Sequence, residues 1–522
     1  MEKCNVISAS DNCKHKKMHW LYYLPITLLF VLIKSYSTSP LYINEGTDSA
    51  IFKTMGLVMA KGGVPYIDYF DHKGPVLYYI NYLGYLLIPS REGVFVLQVI
   101  WMLLLCVLFH KLSSIYVQGF RPYLFTLVVL GIYLFYYQEG NQCEEWELPA
   151  IVASIYLSLK LIIRDWYNDS SLRKTSIYLG VLLAFVFYIR PNDAVSQVGG
   201  GILGLLIYLK VSGKGMYIFR SIAYVALGFV LFSLPIIIYF CCKHAIGELW
   251  HGLISFNLLY SSETGNFFTA LIHPIRLPFI LLIPLVLTFV ITSRKYCILY
   301  FFIPQAILGM VLIGANNYQH YFIVLMPFFL YALVFASLQK KAIRIGIGVA
   351  GSLVALSLFI FIPRFRSLPN KLSSGFSEGS KISKGYEESA RLLSFVPLES
   401  RNSIWNLNLG IGYKPDDYFP YVSIFYHNGI TPENRTSMWN MKMIDPWLQE
   451  VDNIRQSNPE YVLCTHRYDK VYYEVFEQDY AYLASDYELI ANSDTSIVDM
   501  ELWKRKEALD GWDAIQLLEE QE

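Results

Sequence analysis

Long apolar runs separated by short polar stretches dominate the first two-thirds of the sequence. An α-helix needs about 17–25 mostly apolar residues to cross a bilayer, and most of these runs approach that length. The pattern therefore predicts a polytopic bundle of transmembrane helices. The candidate spans are roughly 20–37, 93–110, 122–138, 148–164, 175–189, 195–211, 219–242, 273–292, 296–314, 321–338 and 343–362.

A further apolar run at 76–90 is short, and the distribution of lysine and arginine decides its placement. These cations gather on cytoplasmic loops. If 76–90 does not span, the cation-rich loops lie inside, whereas 139–147 and 315–320, which have no Lys or Arg, lie outside. The sequence predicts about 11 spans, a cytoplasmic N-terminus and an interfacial helix at 76–90 on the outer face.

Composition supports a membrane protein and excludes several other classes. The chain is 54% hydrophobic and only 16% charged, against about a quarter charged in soluble domains. Lys+Arg and Asp+Glu number 42 each, and no basic patch suggests a nucleic-acid partner. The 8 cysteines have no CxxC spacing, which argues against a disulfide framework or structural zinc. We expect a multi-pass protein of the cell (inner) membrane.

The composition becomes polar after Phe361. We therefore predict a transmembrane domain at 1–362, with its first outer loop at 38–92, and a small extracytoplasmic α/β domain at 363–522. The predicted fold is mainly α. Strand-like runs in the second domain are Ser403–Asn408, Glu460–Thr465 and Ser496–Trp503, and helix-like runs are Lys384–Leu393, Met443–Arg455 and Ala508–Glu520.

With this topology, polar side chains of four outer loops meet at one membrane face. A charged outer loop is often simply solvated, and an arginine at a helix end often only reaches for the interface. Charges beside a membrane are nevertheless costly unless they are wet or functional. The residues are Glu45, Asp48, Asp71, His72 and Lys73, then Glu139, Glu144, Glu145 and Glu147, then Arg190, Asn192 and Asp193, and finally Asn316, Asn317, Tyr318 and His320.

This set suits chemistry on a lipid-linked phosphate. Lys73 and Arg190 can hold a phosphate at headgroup depth. A carboxylate beside them can act as general base on a hydroxyl group. Asp71 and His72 suggest a divalent metal as an alternative, although one histidine with carboxylates is a weak metal signature.

Three stretches in fixed order resemble the first outer loop of the GT-C membrane glycosyltransferases. They are Asp48–Phe52, Gly62–Tyr66 and Asp68–Pro75. The bacterial members most similar in pattern are of the protein O-mannosyltransferase and lipid A aminoarabinose transferase type, and the resemblance covers about residues 15–340. It implies transfer of a sugar from a polyprenyl-phosphate carrier outside the cytoplasmic membrane.

The resemblance also implies roles for particular residues. The catalytic base falls on Asp48 by its spacing to Gly62-Gly63, although Ser49 replaces the acid that commonly follows and Glu45 is the alternative. Lys73 falls where the family binds the carrier phosphate. Substrate-binding positions further along the chain are Glu144, Glu145, Arg190, His320 and Tyr321. His72 stands where some relatives have an acidic metal ligand, so a metal held with Asp71 is left open.

We therefore expect an inverting glycosyltransferase whose partners are a polyprenyl-phosphate-linked sugar, membrane lipid and a glycan, lipid or protein acceptor. One rival is a transporter or flippase of lipid-linked glycans, which needs polar residues at mid-membrane. Others are a non-catalytic scaffold that binds a surface polymer and a metal-dependent phosphatase or ligase.

Overall fold

The computed structural model describes most of the first two-thirds of the chain and part of the remainder. The chain divides into two compact units, Met1–Tyr66 with His72–Ser377 and Ile67–Asp71 with Glu378–Glu522. The predicted boundary at 362/363, the last predicted span and the helices predicted at 443–455 and 508–520 lie outside the described residues. Those described are 20–163, 169–262, 276, 279–280, 286, 299–312, 318–338, 382–407, 423–433, 457–465, 481, 483–493 and 499–506.

The first unit is a helical bundle. Two π-helical segments, Ala194–Gly199 and His251–Ser255, and the 3₁₀ segment Gln319–Leu325 interrupt the α-helices. The α-helices are α1 (Trp20–Lys34), α2 (Asp48–Ala60), α3 (Pro75–Leu87), α4 (Arg91–Ser113), α5 (Arg121–Tyr136), α6 (Cys143–Ile163), α7 (Asp169–Phe187), α8 (Pro191–Asp193), α9 (Gly200–Val211), α10 (Tyr217–Cys242), α11 (Ile246–Trp250), α12 (Phe256–Ser262), α13 (Leu299–Leu312) and α14 (Met326–Ser337).

Among the described residues, 5 helices are long and apolar enough to cross a membrane. Three shorter apolar helices, Leu21–Lys34, Arg121–Tyr136 and Phe302–Leu312, accompany them. The chain is therefore a multi-pass membrane protein, while the count of about 11 spans stays a prediction. The five helices are Arg91–Ser113, Asp169–Phe187, Pro191–Val211, Tyr217–Cys242 and Gln319–Ser337.

The predicted first outer loop contains more helix than its sequence suggested. Residues 48–60, expected as loop, form α2, which packs lengthwise on α3. The two backbones approach closely at Gly56, where a Cβ would lie 2.7 Å from the Asn81 carbonyl carbon. With 13 residues, α3 is about 20 Å long. It is too short to cross a bilayer core of about 30 Å. Its placement at the membrane interface stays a prediction.

The second predicted outer loop is shorter than expected. We expected 139–147 to be loop, but α6 already begins at Cys143. Glu144, Glu145 and Glu147 consequently lie in the first turns of a helix, and all three are buried. Arg190 pairs with Glu144, and Gln98 and Tyr137 donate to Glu145, which allows these two carboxylates to leave water.

The second unit contains a four-stranded sheet of β1 (Ile404–Leu407), β2 (Tyr461–Thr465), β3 (Tyr487–Asn492) and β4 (Met500–Arg505). Its strand order is β1-β2-β4-β3. β1 and β2 are parallel, and the other two neighbouring pairs are antiparallel. One sheet face packs on the helix at 382–394, as Tyr386 and Leu393 share a core with Leu463. β1 and β2 lie within two of the predicted runs. β4 overlaps the third run but extends beyond Trp503 to Arg505, and β3 was not predicted.

Candidate functional site

Residues 138–147, which we call the acidic segment, join the end of α5 to the start of α6. Gln138 hydrogen-bonds His320, with 2.8 Å between Oε1 and Nδ1. Glu139 contacts the start of α2, and Glu144 pairs with Arg190. Polar residues predicted on separate loops thus converge on this one segment.

Glu139 caps α2 from outside the helix. Its Oε2 accepts a hydrogen bond from the Thr47 backbone N–H at 2.9 Å, and its Oε1 accepts one from Ser49 at 2.9 Å. The first N–H groups of a helix lack intrahelical partners and favour a negative charge beside them. Asp48, the predicted base, lies between these two residues, and it is half-buried as the first residue of α2.

The charges of Asp48 and Glu139 influence each other. Burial, followed by the Asp48 charge, raises the pKa of Glu139 to about 7. The two backbone hydrogen bonds and the Lys53 ammonium act in the opposite direction but are weaker. Asp48 therefore has a second carboxyl group within electrostatic reach, and that group titrates near neutral pH.

Glu45, the alternative base, is engaged in a buried ion pair. The Lys53 ammonium donates to the Glu45 carboxylate and to the Ser37 carbonyl, the latter at 2.6 Å. Arg91 Nη1 lies 3.9 Å from the same carboxylate. Burial lowers the pKa of Lys53, while the charge and hydrogen bond of Glu45 raise it. The sequence did not single out Lys53, although a lone lysine in an apolar run implies a buried anionic partner.

Glu145 joins three parts of the bundle. Its carboxylate accepts hydrogen bonds from Gln98 Nε2 at 2.9 Å, Tyr137 Oη at 3.1 Å and the Asn141 backbone at 2.8 Å. Asn141 in turn donates to Asn81 of α3 at 2.8 Å. These bonds fix the acidic segment against α3 and α4, and the predicted substrate role of Glu145 stays a prediction.

Arg190 connects three of the predicted residues. Its guanidinium donates to the Glu144 carboxylate and lies 3.3 Å from Asp193. It also stacks over the Tyr321 ring at 3.9 Å, a cation–π distance. His320 packs edge-on against Tyr321 at 4.7 Å. The structure thus brings Glu144, Arg190, His320 and Tyr321 together.

Residues 73–76, which we call the lysine strap, are bonded to the chain just before Arg190. Gly74 donates its backbone N–H to Ile189 at 2.9 Å, and Val76 donates to Tyr188 at 3.0 Å. A Cβ on Gly74 would lie 2.0 Å from the Tyr188 carbonyl oxygen, so only glycine permits this approach. The strap therefore fixes Lys73 next in space to the segment that carries Arg190.

The Lys73 backbone and side chain are both ordered by aromatic neighbours. Tyr66 donates its hydroxyl to the Lys73 carbonyl at 2.6 Å, and Tyr78 accepts from the Lys73 N–H at 3.0 Å. Lys73 Nζ lies 2.6 Å from His72 Nε2 and donates a hydrogen bond to it when His72 is neutral with its proton on Nδ1. The Lys73 ammonium is also close enough to exert an electrostatic effect on Asp193, which pairs with Arg190.

The predicted metal site is not formed as a cluster within the described residues. No group of three or more His, Cys, Asp or Glu in that part of the chain is arranged to hold a metal ion. Asp71 belongs to the second compact unit and His72 to the first. A metal held by these two residues stays a prediction.

Arg276 is a further candidate that the sequence analysis did not identify. Its side chain is fully buried, and its guanidinium lies 5.7 Å from the centre of the Phe322 ring. Phe322 directly follows Tyr321, which contacts Arg190. The available signal was its position: Arg276 is the one Lys or Arg of the apolar run 273–292, and charged residues inside such runs are costly unless functional.

These groups divide into two functional parts joined by the acidic segment. Asp48 supplies a half-buried carboxylate at a helix start. Lys73 and Arg190 supply cations that backbone hydrogen bonds hold in neighbouring segments. A carboxylate of this kind can accept a proton, and the two cations can pair with an anionic group.

No family model matches the sequence, and no curated protein matches it. Solved structures do resemble it. ArnT from Cupriavidus metallidurans bound to undecaprenyl phosphate has a TM-score of 0.59 and 11% identity, covering 94% of this chain and 98% of that chain. Its apo state has a TM-score of 0.56 and 10% identity, covering 93% and 96%.

AglB, an oligosaccharyltransferase from Archaeoglobus fulgidus solved with an inhibitory peptide and a dolichol-phosphate, is a more distant structural relative. Its TM-score is 0.45 and its identity 12%, covering 86% of this chain and 70% of that chain. ArnT, a lipid A aminoarabinose transferase, has the GT-C fold. The likeness to ArnT shows that this chain has the same fold.

Proposed function

We propose that this protein is an inverting glycosyltransferase that moves a sugar from a polyprenyl-phosphate carrier to a hydroxyl acceptor. The observation that carries the proposal is the lysine strap, which holds Lys73 against the segment leading into Arg190. The acidic segment links this cationic part to Asp48 at the start of α2. The ArnT structure with undecaprenyl phosphate supports a lipid phosphate as the ligand of such a site.

The proposed reaction is a single displacement at the anomeric carbon. Asp48 takes the proton of the acceptor hydroxyl while the oxygen of that hydroxyl forms the new bond to the anomeric carbon. The bond between that carbon and the phosphate oxygen breaks, and the carrier leaves as a monophosphate with one additional negative charge. Lys73 offsets this charge, with Arg190 and Arg276 as further cations. Because no acid must protonate the leaving group, one carboxylate is sufficient.

The remaining predicted residues have supporting roles in this proposal. Glu144 orients Arg190, and Tyr321 stacks on it. Glu145 fixes the acidic segment, while Glu45 neutralises Lys53 inside the loop. The acceptor is a glycan, lipid or protein at the outer face of the cell (inner) membrane, with the N-terminus cytoplasmic. The domain at 363–522 lies outside and helps to bind the acceptor.

A donor panel tests this function. Purified protein in detergent is incubated with several polyprenyl-phosphate sugars, and release of the polyprenyl phosphate is followed together with formation of a glycosidic bond. We expect release from at least one donor that depends on acceptor. Movement of carrier lipid between leaflets of proteoliposomes without any glycosidic product would instead favour a flippase.

Replacing Lys73 by alanine should mainly weaken donor binding. A charge-assisted hydrogen bond contributes about 1.5–3 kcal/mol, so the Kd for the lipid-linked donor should rise about 10- to 150-fold. Lys61→Ala is the matched control, because this lysine of the same outer loop is exposed. Equal donor affinity of Lys73→Ala and Lys61→Ala would contradict the phosphate role.

A further inference from the structure

The start of α2 is capped in an unusual way. Thr47 occupies the N-cap position but forms no side-chain capping hydrogen bond. Glu139, about 90 positions away in sequence, instead accepts from the backbone N–H of Thr47 and of Ser49, each at 2.9 Å. Gln142 Nε2 donates to Glu139 Oε1 at 2.8 Å and fixes the carboxylate in place. The residue between the two clamped amides is Asp48.

We propose that Glu139 is the positioning residue of the active site, which holds Asp48 by clamping the amides on both sides of it. This inference rests on the proposed function, since it takes Asp48 as the base. The clamp fixes the backbone of Asp48 while the Asp48 side chain stays half-exposed at the helix start. A base held in this way keeps its orientation towards the acceptor, and small errors in such geometry are costly to rate.

Glu139 is also able to sense protonation at the site. Asp48 and Lys53 face it from α2, and the Tyr36 hydroxyl donates to it from 3.4 Å, beyond the end of α1. Burial and the Asp48 charge bring the pKa of Glu139 to about 7. Because the coupling of two carboxyls is mutual, a proton taken up by Asp48 favours the ionised form of Glu139. The clamp is therefore strengthened at the step in which Asp48 acts as base.

The sign of the pH dependence follows from this arrangement. Above about pH 7, Glu139 is ionised and both oxygens accept from the helix amides. Below that value Glu139 is neutral and one of its oxygens carries a proton. One of the two hydrogen bonds from the backbone N–H groups therefore weakens. The transfer rate should therefore fall as the pH is lowered, with a midpoint near the pKa of Glu139.

The experiment compares pH–rate profiles of the full-length protein and its Glu139→Gln variant. The amide cannot titrate and retains one acceptor oxygen, so kcat should fall about tenfold. The acid limb centred near pH 7 should disappear, leaving only the loss of rate that protonation of the base itself causes, and the donor KM should not change. Glu92→Gln, a half-exposed acid paired with Arg91, is the matched control and should keep the wild-type profile. Glu139→Asp, which keeps the charge, should keep the acid limb.

A second readout does not depend on turnover. The infrared carboxyl stretch of Glu139 is identified as the band that is absent from the Glu139→Gln spectrum. This band is titrated in the wild type and in Asp48→Asn, and its midpoint should lie at lower pH in Asp48→Asn. An unchanged midpoint overturns the pairing, as does wild-type kcat with an intact acid limb in Glu139→Gln. If the midpoint shifts as expected but the wild-type protein transfers no sugar from any donor, the pairing of Glu139 with Asp48 is supported and only the proposed function is overturned.

Discussion

Replacing Asp48 by asparagine should reduce sugar transfer about 1,000-fold while leaving the protein folded. Asparagine has nearly the same shape but cannot take the proton from the acceptor hydroxyl, and general base catalysis contributes about 10²–10⁴-fold. The backbone around position 48 is held by Glu139, and those two bonds do not involve the replaced carboxylate. The helix start should therefore persist, and donor affinity should stay close to that of the wild type.

The measurement is single-turnover transfer from the donor identified in the panel, together with donor binding and thermal unfolding. Asp68→Asn is the matched control, since it makes the same chemical change at an exposed position of the same outer loop. It should transfer at the wild-type rate. Activity of Asp48→Asn within a factor of a few of Asp68→Asn would show that Asp48 is not the base.

Adding one methyl group at Gly74 should disable the lysine strap. The Cβ of Gly74→Ala would lie 2.0 Å from the Tyr188 carbonyl oxygen, a separation that two atoms cannot adopt. The strap must move away, breaking the hydrogen bonds of Gly74 to Ile189 and of Val76 to Tyr188. We expect about 2–3 kcal/mol of destabilisation from this overpacking. Donor Kd should rise at least as much as in Lys73→Ala, because Lys73 moves with the strap.

Gly131→Ala provides the comparison for Gly74→Ala. Gly131 lies inside α5, and its added Cβ would meet no atom within 4 Å. Alanine is preferred over glycine in a helix, so this variant should be slightly more stable, by up to about 1 kcal/mol. Both variants are assayed for thermal unfolding and donor affinity. A Gly74→Ala protein as stable and as tight-binding as Gly131→Ala would refute the role of the strap.

Sequence patterns predicted the parts of the site that local rules encode. Lysine and arginine bias predicted that 76–90 does not span, and α3, with 13 residues, is too short to cross a bilayer core. The resemblance of the predicted first outer loop to the GT-C glycosyltransferases singled out Asp48 and Lys73, whose roles stay predictions. These expectations rest on short-range signals, the order of the motifs and the Gly-Pro turns.

The contacts that organise the site are long-range, and no local pattern encodes them. Glu139 seemed to be one of several loop acids, because capping signals are sought at the N-cap residue itself. The bond from Gly74 to Ile189 joins positions more than about a hundred residues apart. Helix α2 was overlooked because Lys53 interrupts its apolar run. The buried Glu45 and the Ser37 carbonyl, which pair with this lysine, explain how it is tolerated.

The anomeric configuration of the transferred sugar tests the central claim most directly. Wild-type protein is supplied with one stereochemically defined polyprenyl-phosphate sugar, and the glycoside formed is analysed by NMR while the released carrier is quantified. A single displacement, with Asp48 as base and the carrier phosphate at Lys73, predicts inverted configuration and one equivalent of polyprenyl monophosphate per glycoside. Retained configuration, or release of inorganic phosphate without a glycoside, would contradict it.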